Sequence, residues 1–105
     1  MDNIKILHEL RDETRNQFGN IVKNIILFGS QAEGTAEEYS DYDILIILNV
    51  DYDSAIEREI YDLCYEVSLK HDILIDAKII SVNELETIRG KQPYIQNALE
   101  AGLQI

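Results

Sequence analysis

Two aspartates two residues apart, Asp41 and Asp43, stand at the head of an apolar run, Ile44-Leu45-Ile46-Ile47-Leu48. If the chain is extended there, both carboxylates point to one side, roughly 7 Å apart along the strand. Carboxylates so placed suit divalent ions with hard oxygen ligands, as in two-metal sites whose ions sit about 4 Å apart. Upstream, a second apolar run, Ile25-Ile26-Leu27-Phe28, ends in Gly29-Ser30. Glycine has no Cβ to hold a ligand off the backbone. Ser30 adds a hydroxyl and an N–H where a short helix can begin, and that corner suits a phosphate.

A third acid, Asp76, interrupts the apolar run from Ile73 to Ile80. An unpaired carboxylate buried there would be costly. Lys78, two residues on and on the same face, would satisfy it as a structural ion pair. The other reading makes Asp76 a partner of Asp41 and Asp43. Asp72, at the strand entrance, is its weaker rival. Asp51 and Asp53 also lie two apart, but they follow the second strand and read as a linker. Cys64 falls in an apolar helical pattern and reads as core rather than nucleophile. His71 belongs to a helix terminus.

Seven elements are expected to position these residues. Ile4, Leu7, Leu10, Thr14 and Phe18 recur at helical spacing, which predicts an amphipathic helix over 3–18 closed by Gly19-Asn20. Strands follow at 23–28 and about 42–49, joined by a turn of helix through Gln31-Ala32-Glu33, Gly34, and the polar piece Thr35 to Ser40. Runs this apolar suit strands buried on both faces. Ser54 and Glu57 form a capping-box pattern before a second long helix. Its sheet-facing stripe is Ile56, Ile60, Leu63 and Val67, widened by Tyr61, Cys64 and Tyr65. Lys70-His71 at its end complements the helix dipole. The third strand spans 73–80. Ser81 and Glu84 form another capping box, stapled by Ile80 and Leu85, for a helix ending at Gly90. Pro93 opens a last helix with Tyr94, Ile95, Ala98 and Leu99 inward and Gly102 as its stop.

Twenty acidic against nine basic residues give a net charge of −11, which repels nucleic acid and anionic membranes and attracts basic partners. Bound divalent ions can reverse the potential locally, so a nucleotide is still permitted. One cysteine excludes an internal disulfide. No apolar stretch approaches a membrane span, and the N-terminus lacks a signal-peptide layout. One cytoplasmic domain over 1–105 is the expectation.

Gly29-Ser30, ten residues, then Asp41-Tyr42-Asp43 resembles the signature of the polymerase-β-like nucleotidyltransferases. It is most similar to their minimal single-domain branch, the MNT proteins encoded beside HEPN-domain toxins. The likeness extends to the helix before the first strand, Gly34 within the loop, the third acidic strand and the closing Pro93-Tyr94-Ile95 helix. It implies that family's fold, α/β or α+β, with a small mixed sheet of about three strands packed with helices. It implies Gly29 and Ser30 on the β- and γ-phosphates of a nucleotide, with ATP the family expectation. Asp41 and Asp43 would bind Mg2+, and Asp76 would help hold a second ion and accept a proton from the attacking hydroxyl.

The activity so implied is an antitoxin's transfer of AMP to a hydroxyl, typically a tyrosine, of a basic HEPN toxin. One departure stands against it. Relatives often carry a basic residue directly after Gly-Ser and another two residues later, where this chain has Gln31 and Glu33. The alternatives are a binding-only antitoxin with a degenerate site and a small-molecule nucleotidyltransferase, which usually needs a further domain to form its acceptor pocket.

Overall fold

The computed structural model describes residues 3–34 and 41–105. The expected connection from Thr35 to Ser40 lies outside the described residues. The first helix, α1 (Asn3–Phe18), buries Ile6, Leu7, Leu10, Thr14 and Phe18. Ile4 lies roughly 90° from the centre of that stripe and stays outside, 61% exposed, while Ile6 takes the inward place. The buried Thr14 hydroxyl donates to the Leu10 carbonyl at 2.6 Å. A 3-10 turn, Gly19–Ile21, leads into β1 (Val22–Phe28), the short α2 (Ser30–Glu33) and, beyond the connection, β2 (Tyr42–Leu48).

Next come α3 (Ser54–His71) and β3 (Ile75–Ser81). Asp53, not Ser54, caps α3: its side chain accepts the Ile56 N–H at 2.9 Å, so part of the expected linker is a helix cap. Asp72 ends α3 in the left-handed conformation, and the Ile73 N–H returns to the Ser68 carbonyl at 3.1 Å. That turn delays β3 to Ile75. The Ser81–Glu84 capping box forms in both directions, at 3.1 and 3.2 Å. It opens only two 3-10 turns, Glu84–Glu86 and Ile88–Lys91, because Thr87 between them is extended. The last helix, α4 (Pro93–Ala101), turns Ile95 and Ala98 inward, whereas Leu99 is 44% exposed.

A fourth strand, β4 (Leu103–Gln104), completes a sheet of order β3-β2-β1-β4. Two residues carry no periodicity, so nothing in the sequence announced it. The Ile105 N–H extends the pairing by donating to Ile25 at 2.9 Å. β1 is antiparallel to both β2 and β4, while β2 and β3 run parallel, joined by the α3 crossover. The sheet is therefore mixed, as expected, with helices on both faces. One face buries Ile25, Leu27, Ile44, Ile46 and Ile79 against α1 and α3. The other buries Ile26, Phe28, Leu45, Ile47 and Ile80 against α4 and the 3-10 segment. β2 is central and covered on both sides; every position in it is buried except Asp43.

Candidate functional site

The break in β2 is the centre of the site. Strand alternation puts Asp43 on the α4 face of the sheet, in line with Leu45 and Ile47. Its neighbour on β1 is Phe28, the last residue of that strand, and its neighbour on β3 is Asp76. Two carboxylates thus sit side by side across a parallel pair, where β2 and β3 begin and β1 ends. Asp41 immediately precedes β2 and is exposed.

Gly29 closes the corner. Its backbone has φ +75° and ψ −156°, a conformation that side chains rarely adopt, and a Cβ there would collide with the Asp43 carboxylate. Both facts require glycine. Ser30, half-buried, then starts α2, which stops after one turn at Gly34 with φ +74°.

The electrostatics tie these residues together. Partial burial pushes the Asp43 carboxyl above its ordinary range; the nearby charges of Asp76 and then Asp41 push it further, while Lys78 pulls it back. Lys78 Nζ lies 3.4 Å from Asp76 Oδ1, with both side chains nearly half exposed. The ion pair and the carboxylate cluster both exist, so the two readings of Asp76 are not exclusive.

The structure brings Gly29, Asp43 and Asp76 together, sets Ser30 beside them and places Asp41 within their field. The acids do not yet converge on one point: among the described residues no group of three or more histidine, cysteine or acidic side chains is placed to hold a metal ion. The donor chemistry nonetheless fits one. Three hard oxygen donors in mutual repulsion, one of them with a raised pKa, are relieved by a divalent cation, provided Asp76 turns from Lys78.

The other sequence candidates have structural duties. Asp51 accepts from the Asn83 amide at 3.1 Å, Asp53 caps α3 and Asp72 ends it. Cys64 is buried among the α3 contacts, its thiol pushed up to about 12 by burial, which removes it as a nucleophile. His71 Nε2 lies 2.5 Å from Glu9 on α1, away from the site. Tyr61 and Tyr65, expected to widen the buried stripe of α3, are exposed.

Comparison with known proteins gives the family and the fold. The family model of the nucleotidyltransferase domain matches residues 7–102. A protein of Methanocaldococcus jannaschii, provisionally named a protein adenylyltransferase, is 36% identical over 97% of this chain and 96% of its own length. Among solved structures, a chain of a toxin–antitoxin complex with AMP-PNP superposes with TM-score 0.59 at 24% identity, covering 99% of this chain and 72% of that one. A chain from the complex of tri-AMPylated Shewanella oneidensis HEPN toxin with MNT antitoxin gives TM-score 0.59 at 17% identity, covering 99% and 71%. These two likenesses bear on the fold. No helix among the described residues is long and apolar enough to cross a membrane.

Proposed function

The chain belongs to the nucleotidyltransferase domain family, and from that premise we propose that it transfers AMP from ATP to a tyrosine hydroxyl of a HEPN-type partner protein in the cytoplasm. The observation that carries the reading is the side-by-side placement of Asp43 and Asp76 against Gly29 on one face of the sheet. The name of the Methanocaldococcus relative supports protein as acceptor, and the toxin–antitoxin neighbours support a HEPN partner.

Nucleotidyl transfer asks little covalent help of a protein; it needs an in-line hydroxyl, a held triphosphate and charge compensation. Asp41, Asp43 and Asp76 would hold Mg2+, which when bound supplies positive charge against the triphosphate. Gly29 lets the phosphates approach the main chain, and the Ser30 hydroxyl and N–H donate to them. Asp76 lies on the outer strand of the sheet and accepts the proton of the attacking hydroxyl. In the free protein Lys78 Nζ stands 3.4 Å from its Oδ1. Lys78 also brings a cation to a site where Gln31 and Glu33 replace the basic residues common in relatives.

The test is incubation with ATP, Mg2+ and a HEPN-type protein, read by intact mass. The partner should gain one or more AMP units, and Asp41→Ala with Asp43→Ala should abolish the gain without unfolding the chain. Gln31 and Glu33 favour a second reading, a binding-only antitoxin. It would be supported by a wild-type protein that neutralises its partner and leaves its mass unchanged.

A further inference from the structure

Ser68 is a polar residue on the buried side of α3, beside Ile60, Leu63, Cys64 and Val67. A hydroxyl gains little from apolar burial and must find partners there. Ser68 Oγ has two. It donates to the Cys64 carbonyl one turn back at 2.8 Å and accepts the Ile75 N–H at 3.2 Å.

The second bond is one that the sheet cannot make. β3 is an outer strand, with a neighbouring strand only on its β2 side. The Tyr42 N–H donates to the Leu74 carbonyl and the Val82 N–H to the Leu48 carbonyl, both at 2.9 Å. In the parallel register these bonds turn the even-numbered residues of β3 toward β2 and the Ile75 N–H away from it. Ile75 is itself buried, so Ser68 supplies a partner that water cannot. The Ser68 carbonyl also accepts from the N–H groups of Asp72 and Ile73. The turn from α3 into β3 is therefore tied to this one residue.

We infer that Ser68 is a positioning residue for the transfer: its hydroxyl fixes the start of β3 and so sets Asp76 against Asp43. Asp76 directly follows Ile75 and pairs with Asp43 across the two strands. Asp43 is held from its other side by Phe28 on β1, whereas Asp76 has no strand beyond it. Asp76 is thus the acid that depends on Ser68. The consequence for turnover rests on the reading that Asp76 takes part in AMP transfer. A misplacement of about 1 Å at such a group can cost about a hundredfold in rate. Gly29, Ser30 and Asp43 lie on other elements, so nucleotide binding should be spared.

The test compares wild type with Ser68→Ala and with a control, Thr14→Val. Thr14 is also buried and its hydroxyl also donates one turn back, to Leu10, but α1 carries none of the site residues. All are assayed under conditions where circular dichroism shows them folded, with ATP, Mg2+ and a HEPN-type protein. Ser68→Ala should lower kcat about ten- to a hundredfold and leave the KM for ATP near wild type, while Thr14→Val changes neither. Native-state hydrogen exchange reads the positioning without turnover. The Ile75 and Asp76 amides should exchange about tenfold faster in Ser68→Ala and not in Thr14→Val. Should Ser68→Ala fail to fold, Ser68→Cys, similar in size with a weaker acceptor, serves in the same assays. Unchanged exchange at the start of β3 overturns the positioning role whatever the activity. Faster exchange with wild-type kcat, or an equal fall of kcat in Thr14→Val, overturns its bearing on the reaction. A wild type that transfers no AMP overturns the transfer reading instead, and the exchange rates still decide whether Ser68 holds β3.

Discussion

Gly29 lies so close to Asp43 that any side chain at position 29 would enter the space of the Asp43 carboxylate. The glycine that ends β1 and the acid near the start of β2 are thus one unit, held in place by the Phe28–Asp43 pairing of the two strands. Gly29→Ala would meet both a disfavoured backbone, about 1–3 kcal/mol for such conformations, and a displaced carboxylate. Denaturant unfolding should show a loss of that order. Calorimetry with ATP and Mg2+ should show weaker binding, even under conditions where the variant is fully folded. Unchanged affinity would separate Gly29 from the nucleotide.

Asp43→Asn should move stability and binding in opposite directions. The folded-state pKa of Asp43 is raised, so between its ordinary value and the raised one the native state holds more proton than the unfolded chain. Stability contributed at this position therefore falls as pH rises through that window and stays reduced at neutral pH. Asparagine removes the penalty. The melting temperature at pH 7 should rise relative to wild type, with the difference vanishing below pH 3.8, the ordinary value. Metal-dependent ATP binding should be lost in the same variant. A lower melting temperature at pH 7 would mean that the carboxylate is a structural group.

Strands with continuous apolar runs were legible because burial on both faces leaves no alternative composition, and the polar break at Asp43 was legible for the same reason. Gly29 and Asp76 followed from their positions on such runs. Other features depend on tertiary placement. Tyr61 and Tyr65 have helical spacing compatible with the core, but the sheet and α1 cover only the side bearing Ile60, Leu63 and Val67. Asp53 and Ser54 are both good caps, and only backbone geometry decides between them. β4 exists because Ile26 and Leu27 present a strand edge to the residues after α4, a fact about β1 rather than about Leu103 or Gln104. The mutual repulsion of Asp41, Asp43 and Asp76 likewise needs the parallel register of β2 with β3.

Glu9 joins α1 to the end of α3, accepting from Lys70 Nζ at 2.6 Å and facing His71 Nε2 at 2.5 Å. The Lys70 hydrogen bond, then His71, hold its carboxyl below the usual 4.5. A depressed acid contributes stability above its unfolded pKa and loses it as pH falls through the folded one. Glu9→Gln should therefore flatten the decline in stability below pH 4.5, and high salt should shrink the difference because the pair is exposed. An identical acid profile in the two proteins would mean that this link contributes nothing.

Cys64 should be inert in the folded protein. Its thiol is buried and pushed up to about 12, so little thiolate exists at pH 8 and reagents cannot reach it. Ellman's reagent should react with it only after unfolding. Rapid labelling of the native chain would place Cys64 at a surface.

Lys78 has two possible duties, and one variant series separates them. In the free protein it stands 3.4 Å from Asp76 and counteracts the repulsion felt by Asp43. If it is only a counter-charge, Lys78→Ala leaves the carboxylates more negative. Mn2+ binding measured without nucleotide should then tighten, and ATP affinity at saturating metal should not change. If Lys78 also meets a phosphate, compensating for Gln31 and Glu33, the same variant should raise the KM for ATP by roughly ten- to a hundredfold, since a hydrogen bond to a charged group contributes about 1.5–3 kcal/mol. Lys78→Arg keeps the charge and should restore most of that loss, whereas Lys78→Met keeps the stem and should not. The second pattern is expected, because on the proposed reading Asp76 would exchange its lysine for a metal ion and so free the ammonium group beside the incoming triphosphate. A KM unchanged in Lys78→Ala, together with tighter Mn2+ binding, would assign the lysine to Asp76 alone.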